Sequence, residues 1–452
     1  MSAHTPFACR LAAAVSVLAL AAPQAFAQTD DATLEDVIVV LSTPMQLQSD
    51  EMVGSVDLIS AQEIERNLNG NIADTLSRMP GVNSTYFGPA AGRPIIRGLG
   101  ADRVRMLVNG LGALDASSAS PDHAVSAEAL GAQQIEVLRG PAAIAYGGGA
   151  IGGVVNVLDG RIPTERNDDF TDGFAYLGAT SVDDGVQAAG RVTADFDGLM
   201  IQIEGLRREG SDFDIPGFAE TEALREEHHD HDDDHDEDED HTDEHEGEEE
   251  AAYGEVPDSD FTFETYSGAV SLVRDWGYIG VSVKETDAEY GLPGHSHAHE
   301  DEHDDDHDDH EDEHDEDHAH EGEEAAPRLV LDQTRIDLRG ELNRDATFNR
   351  IRWSFAHADY THAELEDGEI GTLFKKDGFE GRVELAHDHG DNRQGAWGVQ
   401  MLTQDFSAEG EEAYIEPVTT QDWGLFVTER WDNGVWGVEG GLRAETRELS
   451  GQ

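Results

Sequence analysis

Fifteen of the 21 histidines in this 452-residue chain fall in two acidic tracts. The first, residues 226–250, holds His228, His229, His231, His235, His241 and His245 among 17 Asp or Glu; the second, around residues 295–324, runs from His295 to His320, and its last 25 positions again carry 17 acids. Neither tract has a Lys or Arg. Neutral imidazole beside carboxylate is a donor set for a borderline divalent ion such as Zn²⁺. In His295-Ser296-His297-Ala298-His299 alternate imidazoles fall on one side of an extended backbone, which makes His295, His297 and His299 candidate ligands. Segments this polar cannot bury a core, so no fixed structure is expected of them without metal. A merely solvated acidic loop has no need of imidazole, and metal collection is the preferred reading. The carboxylates raise the local cation concentration. They also favour protonated histidine, so capture should weaken in acid.

A tighter site needs ligands on rigid backbone. Asp122 and His123 offer an oxygen and a nitrogen in the polar loop 114–126, and His123 is the only histidine between residues 50 and 160. A lone histidine is ordinarily a surface or hydrogen-bonded residue; the adjacent carboxylate shifts the balance. His362, with Glu364 two residues on, is a candidate third ligand near the outer end of a strand. His387 and His389 precede a short turn and read as solvated. No Ser/His/Asp set, acid–base pair or Walker loop stands at a constrained spacing, so no enzyme is expected and no cofactor beyond a carried metal ion. The formal charge of −68 excludes a nucleic-acid partner, because phosphate would be repelled. The one cysteine, Cys9, precedes an apolar run and provides neither disulfide nor thiolate ligand to a mature chain.

Residues 1–27 read as a secretory signal: Arg10, an apolar stretch from Leu11 to Ala22, then Ala25-Phe26-Ala27. Residues 28–49 look extended, with a short apolar run at 34–40. Residues 50–160 predict a small α+β domain. A strand over 53–59 leads through a Ser60/Glu63 capping box into a helix over 61–68, and a second helix spans 72–78. Strands follow near Ile95, over 104–108 before the Asn109-Gly110 turn, and near 135–137 and 154–158, with a helix near Ala127. From about residue 170 the period becomes two. Eleven segments alternate: 174–180, 185–195, 199–208, 261–274, 278–287, 329–342, 347–362, 372–387, 396–406, 419–431 and 435–449. Each is near or above the ~9–11 residues of a tilted membrane strand. Short turns alternate with long connections at 210–260, 288–328, 363–371 and 407–418. That asymmetry belongs to outer-membrane barrels, whose long loops face outward. After the signal no stretch is long and apolar enough for a helical span, and lipid admits only a closed barrel otherwise.

Order and spacing of several motifs resemble the TonB-dependent outer-membrane receptors. They are Arg93–Gly98 (RPIIRG), Val104–Gly110 (VRMLVNG) and the glycine-rich run 134–160, QIEVLRGPAAIAYGGGAIGGVVNVLDG. The resemblance implies an N-terminal plug domain over 50–160 inside a transmembrane antiparallel β-barrel from 170 to 452. It implies location in the outer membrane among its lipids, and TonB as energising partner. It places a TonB box at Glu35, Asp36, Val37, Ile38 and Val39, where an extended peptide adds a strand to the partner's sheet. The family barrel has about 22 strands; eleven predict a truncated sequence. Asp122-His123 after Ser and Pro, and the stretch Tyr290–His297, are similar to the zinc-uptake (ZnuD-like) branch, which implies zinc, free or chelated, as cargo. Alternatives are a receptor for a siderophore, haem or cobalamin, one for Cu²⁺ or Ni²⁺, or a surface metal buffer that transports nothing.

Overall fold

The computed structural model describes residues 45, 56–68, 70–221, 225, 252–294, 326–366, 368–388, 390, 392–410, 413 and 415–451. The signal segment, the segment holding Glu35 to Val39, and both histidine tracts, with His295, His297 and His299, lie outside the described residues.

The N-terminal domain is built on a five-stranded mixed sheet of order β1-β6-β7-β4-β5. These strands are β1 (Val56–Ser60), β4 (Val104–Val108), β5 (Leu111–Gly112), β6 (Gln134–Leu138) and β7 (Gly153–Leu158). β4 runs parallel to β7, and the other pairings are antiparallel. Ile135, Val137, Val155 and Val157 pack with Met106, Val108 and the helix residues Ile64, Ile72 and Leu76 in one buried cluster. Local chemistry sets the boundaries. Helix α1 (Ala61–Asn67) begins with the expected capping box, Ser60 N–H donating to Glu63 at 3.1 Å. At α2 (Ile72–Leu76) the Asn71 side chain accepts the Asp74 N–H at 3.0 Å. Asn109 and Gly110 both take positive φ, 53° and 86°, the conformation a two-residue hairpin turn requires. β2 (Val82–Ser84) and β3 (Pro94–Ile96) pair as a separate ribbon.

The helix expected near Ala127 is absent. Residues 113–133 are an irregular loop, because their backbone groups are taken by side chains. Asp115 alone accepts the Ser117 and Ser126 N–H groups, at 3.3 and 2.9 Å.

All eleven predicted strands form, in one antiparallel sheet with β8 and β20 at its edges. They are β8 (Thr171–Ala179), β9 (Val186–Phe196), β10 (Leu199–Gly210), β13 (Phe261–Arg274), β14 (Gly277–Gly291), β15 (Arg328–Asn343), β16 (Arg350–Glu366), β17 (Glu369–Asp388), β18 (Arg393–Gly410), β19 (Val418–Asp432) and β20 (Gly437–Gly451). Two corrections concern connections. The long one over 210–260 contains a further pair, β11 (Phe213–Phe218) with β12 (Tyr253–Val256). The one expected over 363–371 is only a tight turn, with Gly368 at φ 79°. There Ala363 faces Leu373 and Glu364 faces Thr372, and after one shift of register Leu365 faces Ile370 and Glu366 faces Glu369. The charged residues imitate a loop in composition, but backbone pairing does not depend on them.

The sheet is apolar on the outside. Ile279, Val281 and Val283 are exposed on β14, whereas Ser282 between them is buried. Directly across the strands, Ile201, Val270, Val281, Leu338 and Phe355 form one continuous outward row. The inner face carries buried Gln202, Ser271, Gln333, Arg335 and Asp337. That inversion fits a sheet with lipid on one side and protein on the other. The N-terminal domain sits against this polar face. Arg335 donates to Gly112 O at 2.7 Å, Arg382 to Ala145 O at 2.7 Å, and Arg105 pairs with Glu380 at 2.7 Å. Among the described residues no helix is long and apolar enough to cross a membrane.

Candidate metal centre

The loop 113–133 is pressed between the small sheet and the large one. Gln333 donates to Ala113 O at 3.1 Å and Lys376 to Asp115 O at 2.8 Å, so β15 and β17 hold its first half. This places His123 in the interior with no exposed surface. On β16 alternate residues face inward, so Tyr360, His362 and Glu364 fall on one side and meet the loop. One ligand atom each from Asp122, His123 and Glu364 lies within 4.8 Å of the others. His123 Nε2 is 3.2 Å from Glu364 Oε1, and its Nδ1 is 3.3 Å from Ala116 O. Phe374 of β17 packs edge-on to the His123 ring, with centroids 4.6 Å apart.

Of the residues singled out in sequence, Asp122 and His123 are therefore brought together with Glu364. His362 lies directly behind, fully buried, its ring centroid 4.2 Å from that of His123. Its Nδ1 is 3.1 Å from the Tyr360 hydroxyl and its Nε2 3.4 Å from that of Tyr290. His387 is not solvated as expected. It is buried at the other end of the sheet although its parity is that of the outer face, because Glu429 at 3.1 Å and the ring of Phe348, centroids 6.1 Å apart, pack against it; His389 lies outside the described residues. His357 has the opposite parity to His362 and stays away from the centre, 3.7 Å from Asp377. Sequence reading missed Tyr290 and Tyr360 as members of the site. The spacing 360, 362, 364 on a period-two strand was the available signal for Tyr360; Tyr290 stood only as the first residue of the stretch Tyr290–His297, with no role in the site.

One imidazole and two carboxylates match the donor set of Zn²⁺, and three protein ligands leave a coordination position open. With Nδ1–H given to the Ala116 carbonyl, Nε2 is the nitrogen left for a metal. In the structure Nε2 faces Glu364 Oε1, so an incoming cation must come between them.

Residues 48–154 match the family model of the TonB-dependent Receptor Plug Domain. The N-terminal domain is a TonB-dependent receptor plug. Over 205 residues the chain is 27% identical to the vitamin B12 transporter BtuB of Vibrio vulnificus (strain CMCP6), covering 45% of this chain and 32% of that protein. Among solved structures it resembles the copper transporter OprC, with TM-score 0.62 and 14% identity over 88% of this chain and 55% of that one. It also resembles the siderophore receptor PirA from Acinetobacter baumannii, with TM-score 0.58 and 16% identity over 92% and 59%. The chain thus spans about a third of this curated relative's length and somewhat over half of these structural ones. The plug together with the antiparallel sheet gives the fold of the TonB-dependent outer-membrane receptors, and the cluster of Asp122, His123 and Glu364 lies where plug loop and sheet strand meet.

Proposed function

We propose that the chain belongs to an outer-membrane receptor that takes up zinc, free or chelated, with energy supplied through TonB. One observation carries the reading: Asp122 and His123 of the plug converge with Glu364 of the barrel to within 4.8 Å. The ligand set spans two parts of the molecule, so an ion held there is bound by the plug as well as by the wall. The acidic tracts, His295, His297 and His299 among them, collect cations ahead of this inner centre. The peptide Glu35 to Val39 pairs with TonB by strand addition. The ion is cargo.

Zinc-starved cells should take up radioactive zinc when carrying the unaltered protein. Deleting residues 34–40 should abolish uptake while leaving zinc binding to the cell surface intact. A surface buffer would keep its whole function after that deletion, and a siderophore, haem or cobalamin receptor would respond to its own ligand rather than to zinc. Copper competes for any N/O site because it stands above zinc in the Irving–Williams order. Uptake that follows copper or nickel starvation instead of zinc starvation would therefore reassign the cargo.

A further inference from the structure

We propose that Tyr290 and Tyr360, acting through His362, are positioning residues of the metal centre, and that His362 buttresses His123 rather than binding the ion. The inference rests on the zinc reading above and names what holds its ligands in place.

The Tyr290 hydroxyl has one proton to give and two lone pairs. It donates to the Asp122 carbonyl oxygen at 3.0 Å and accepts the Ala124 N–H at 2.8 Å. One barrel side chain thereby pins the plug backbone on both sides of His123. His362 Nε2 stands 3.4 Å from the same hydroxyl. Since the Tyr290 proton is already engaged, Nε2 must be the donor in that contact. Nδ1 is then the bare nitrogen, and the Tyr360 hydroxyl at 3.1 Å is placed to donate to it. The Ala116 backbone lies beside the Tyr360 hydroxyl, and the Ala116 carbonyl faces His123 Nδ1 at 3.3 Å.

Hydrogen bonds and the loop's own backbone together make a circuit: Tyr290 holds residues 122 and 124 on either side of His123, His123 reaches Ala116 beside Tyr360, and Tyr360 leads through His362 back to Tyr290. Tyr290, Tyr360, His123 and His362 are each no more than 1% exposed, so no water stands in for a lost partner without rearrangement. In this circuit the lone pair of His362 is spent on Tyr360 and is not turned toward Asp122, His123 and Glu364. Its ring instead backs the His123 ring and fixes the direction of Nε2. Partners that hold a metal-binding imidazole by its second nitrogen, or hold the backbone beside it, govern affinity at a distance from the ion.

The test uses the full-length receptor purified in detergent, with Zn²⁺ alone for affinity and Co²⁺ as the spectroscopic probe. Tyr290→Phe keeps the ring and removes the hydroxyl. It should weaken zinc binding about 10- to 100-fold, the range seen when such supporting partners are lost, and should change the intensity of the visible Co²⁺ bands as the ligands lose their geometry. His362→Gln, which retains an amide donor, should bind zinc better than His362→Ala and leave the imidazole count of the bound ion at its original value. Tyr266→Phe, on the outer face, is the control for handling. If Tyr290→Phe matches the unaltered protein in affinity and Co²⁺ spectrum while His123→Ala has lost binding, the positioning role is wrong and the metal centre stands. If His362→Gln lowers the imidazole count by one, His362 is a ligand and the buttress assignment falls. If His123→Ala itself binds zinc normally, the underlying zinc reading fails. Should Tyr290→Phe not assemble, Tyr360→Phe interrupts the same circuit at its other end and carries the same expectation.

Discussion

Replacing His123 by alanine is expected to weaken zinc binding by more than about a hundredfold, beyond the range seen for loss of a supporting partner. It provides the nitrogen of the candidate set and is fully buried. Without it two carboxylates remain, a harder pair better suited to Mg²⁺ or Ca²⁺ than to zinc. Asp122→Ala and Glu364→Gln should each weaken binding as well. Glu364→Gln is the sharper of these, because it preserves shape and removes only charge and the second carboxylate donor. His357→Ala, one parity step away on the outer face, should leave affinity unchanged. Competitive titration on the purified receptor reads all four. A His123→Ala protein that holds zinc as tightly as the unaltered one would show that the ion is bound elsewhere.

The second large effect concerns the join between plug and sheet. Arg161 is 2% exposed, pairs with Asp159 at 2.5 Å and reaches Asp337 of β15 at 3.3 Å. Burial by itself would raise the Asp159 carboxyl. The Arg161 charge, the bonds from Arg161 and Asn109 and the more distant Lys284 charge outweigh it, and Asp159 lies well below the usual carboxylate range. A group whose folded-state value is depressed contributes stability that is present above its unfolded value. That contribution disappears only as pH falls through the folded value. The Asp159 contribution should therefore persist into strongly acidic solution.

Arg161→Met keeps the length and removes the charge, leaving Asp159 without its cation, while Asp337 keeps Arg335 at 3.1 Å. Breaking a buried pair on one side costs about 3–5 kcal/mol. The plug of the variant should unfold at markedly lower urea. Since burial now favours protonated Asp159, its deficit should shrink as pH is lowered toward about 4. Urea unfolding followed by protease cleavage within residues 56–160 measures both. A deficit under about 1 kcal/mol, or one that grows on acidification, would mean that Arg161 is not the cation on which Asp159 depends.

The eleven strands were legible because their signal is local and repeated. Ile279, Val281 and Val283 alternate with Gly280 and Ser282, and the same period recurs in ten other segments. The capping box at Ser60 and Glu63 and the Asn109-Gly110 turn were legible for the same reason, each being a short-range hydrogen-bond or φ requirement. The polar loop 114–126 was legible, but its continuation past Ala127 without a helix was not, since Asp115 bonds across the loop and Gln333 and Lys376 hold it from distant strands. Nor was the tight turn at Gly368, where pairing between β16 and β17 overrides a composition that reads as a loop.

For the site, the chain by itself determined the donor types and half of their placement. Asp122 and His123 are neighbours by covalent bonding, and period two puts His362 and Glu364 on one strand face. Tertiary structure decided that these two pairs meet although 241 positions separate His123 from Glu364. It decided as well that Tyr290 closes the circuit around them, and that His387 is buried rather than solvated. A residue's chemistry and its local direction follow from its own backbone. Which surface it faces depends on how the plug seats against the sheet, a free-energy minimum shared by many weak contacts and written at no single position.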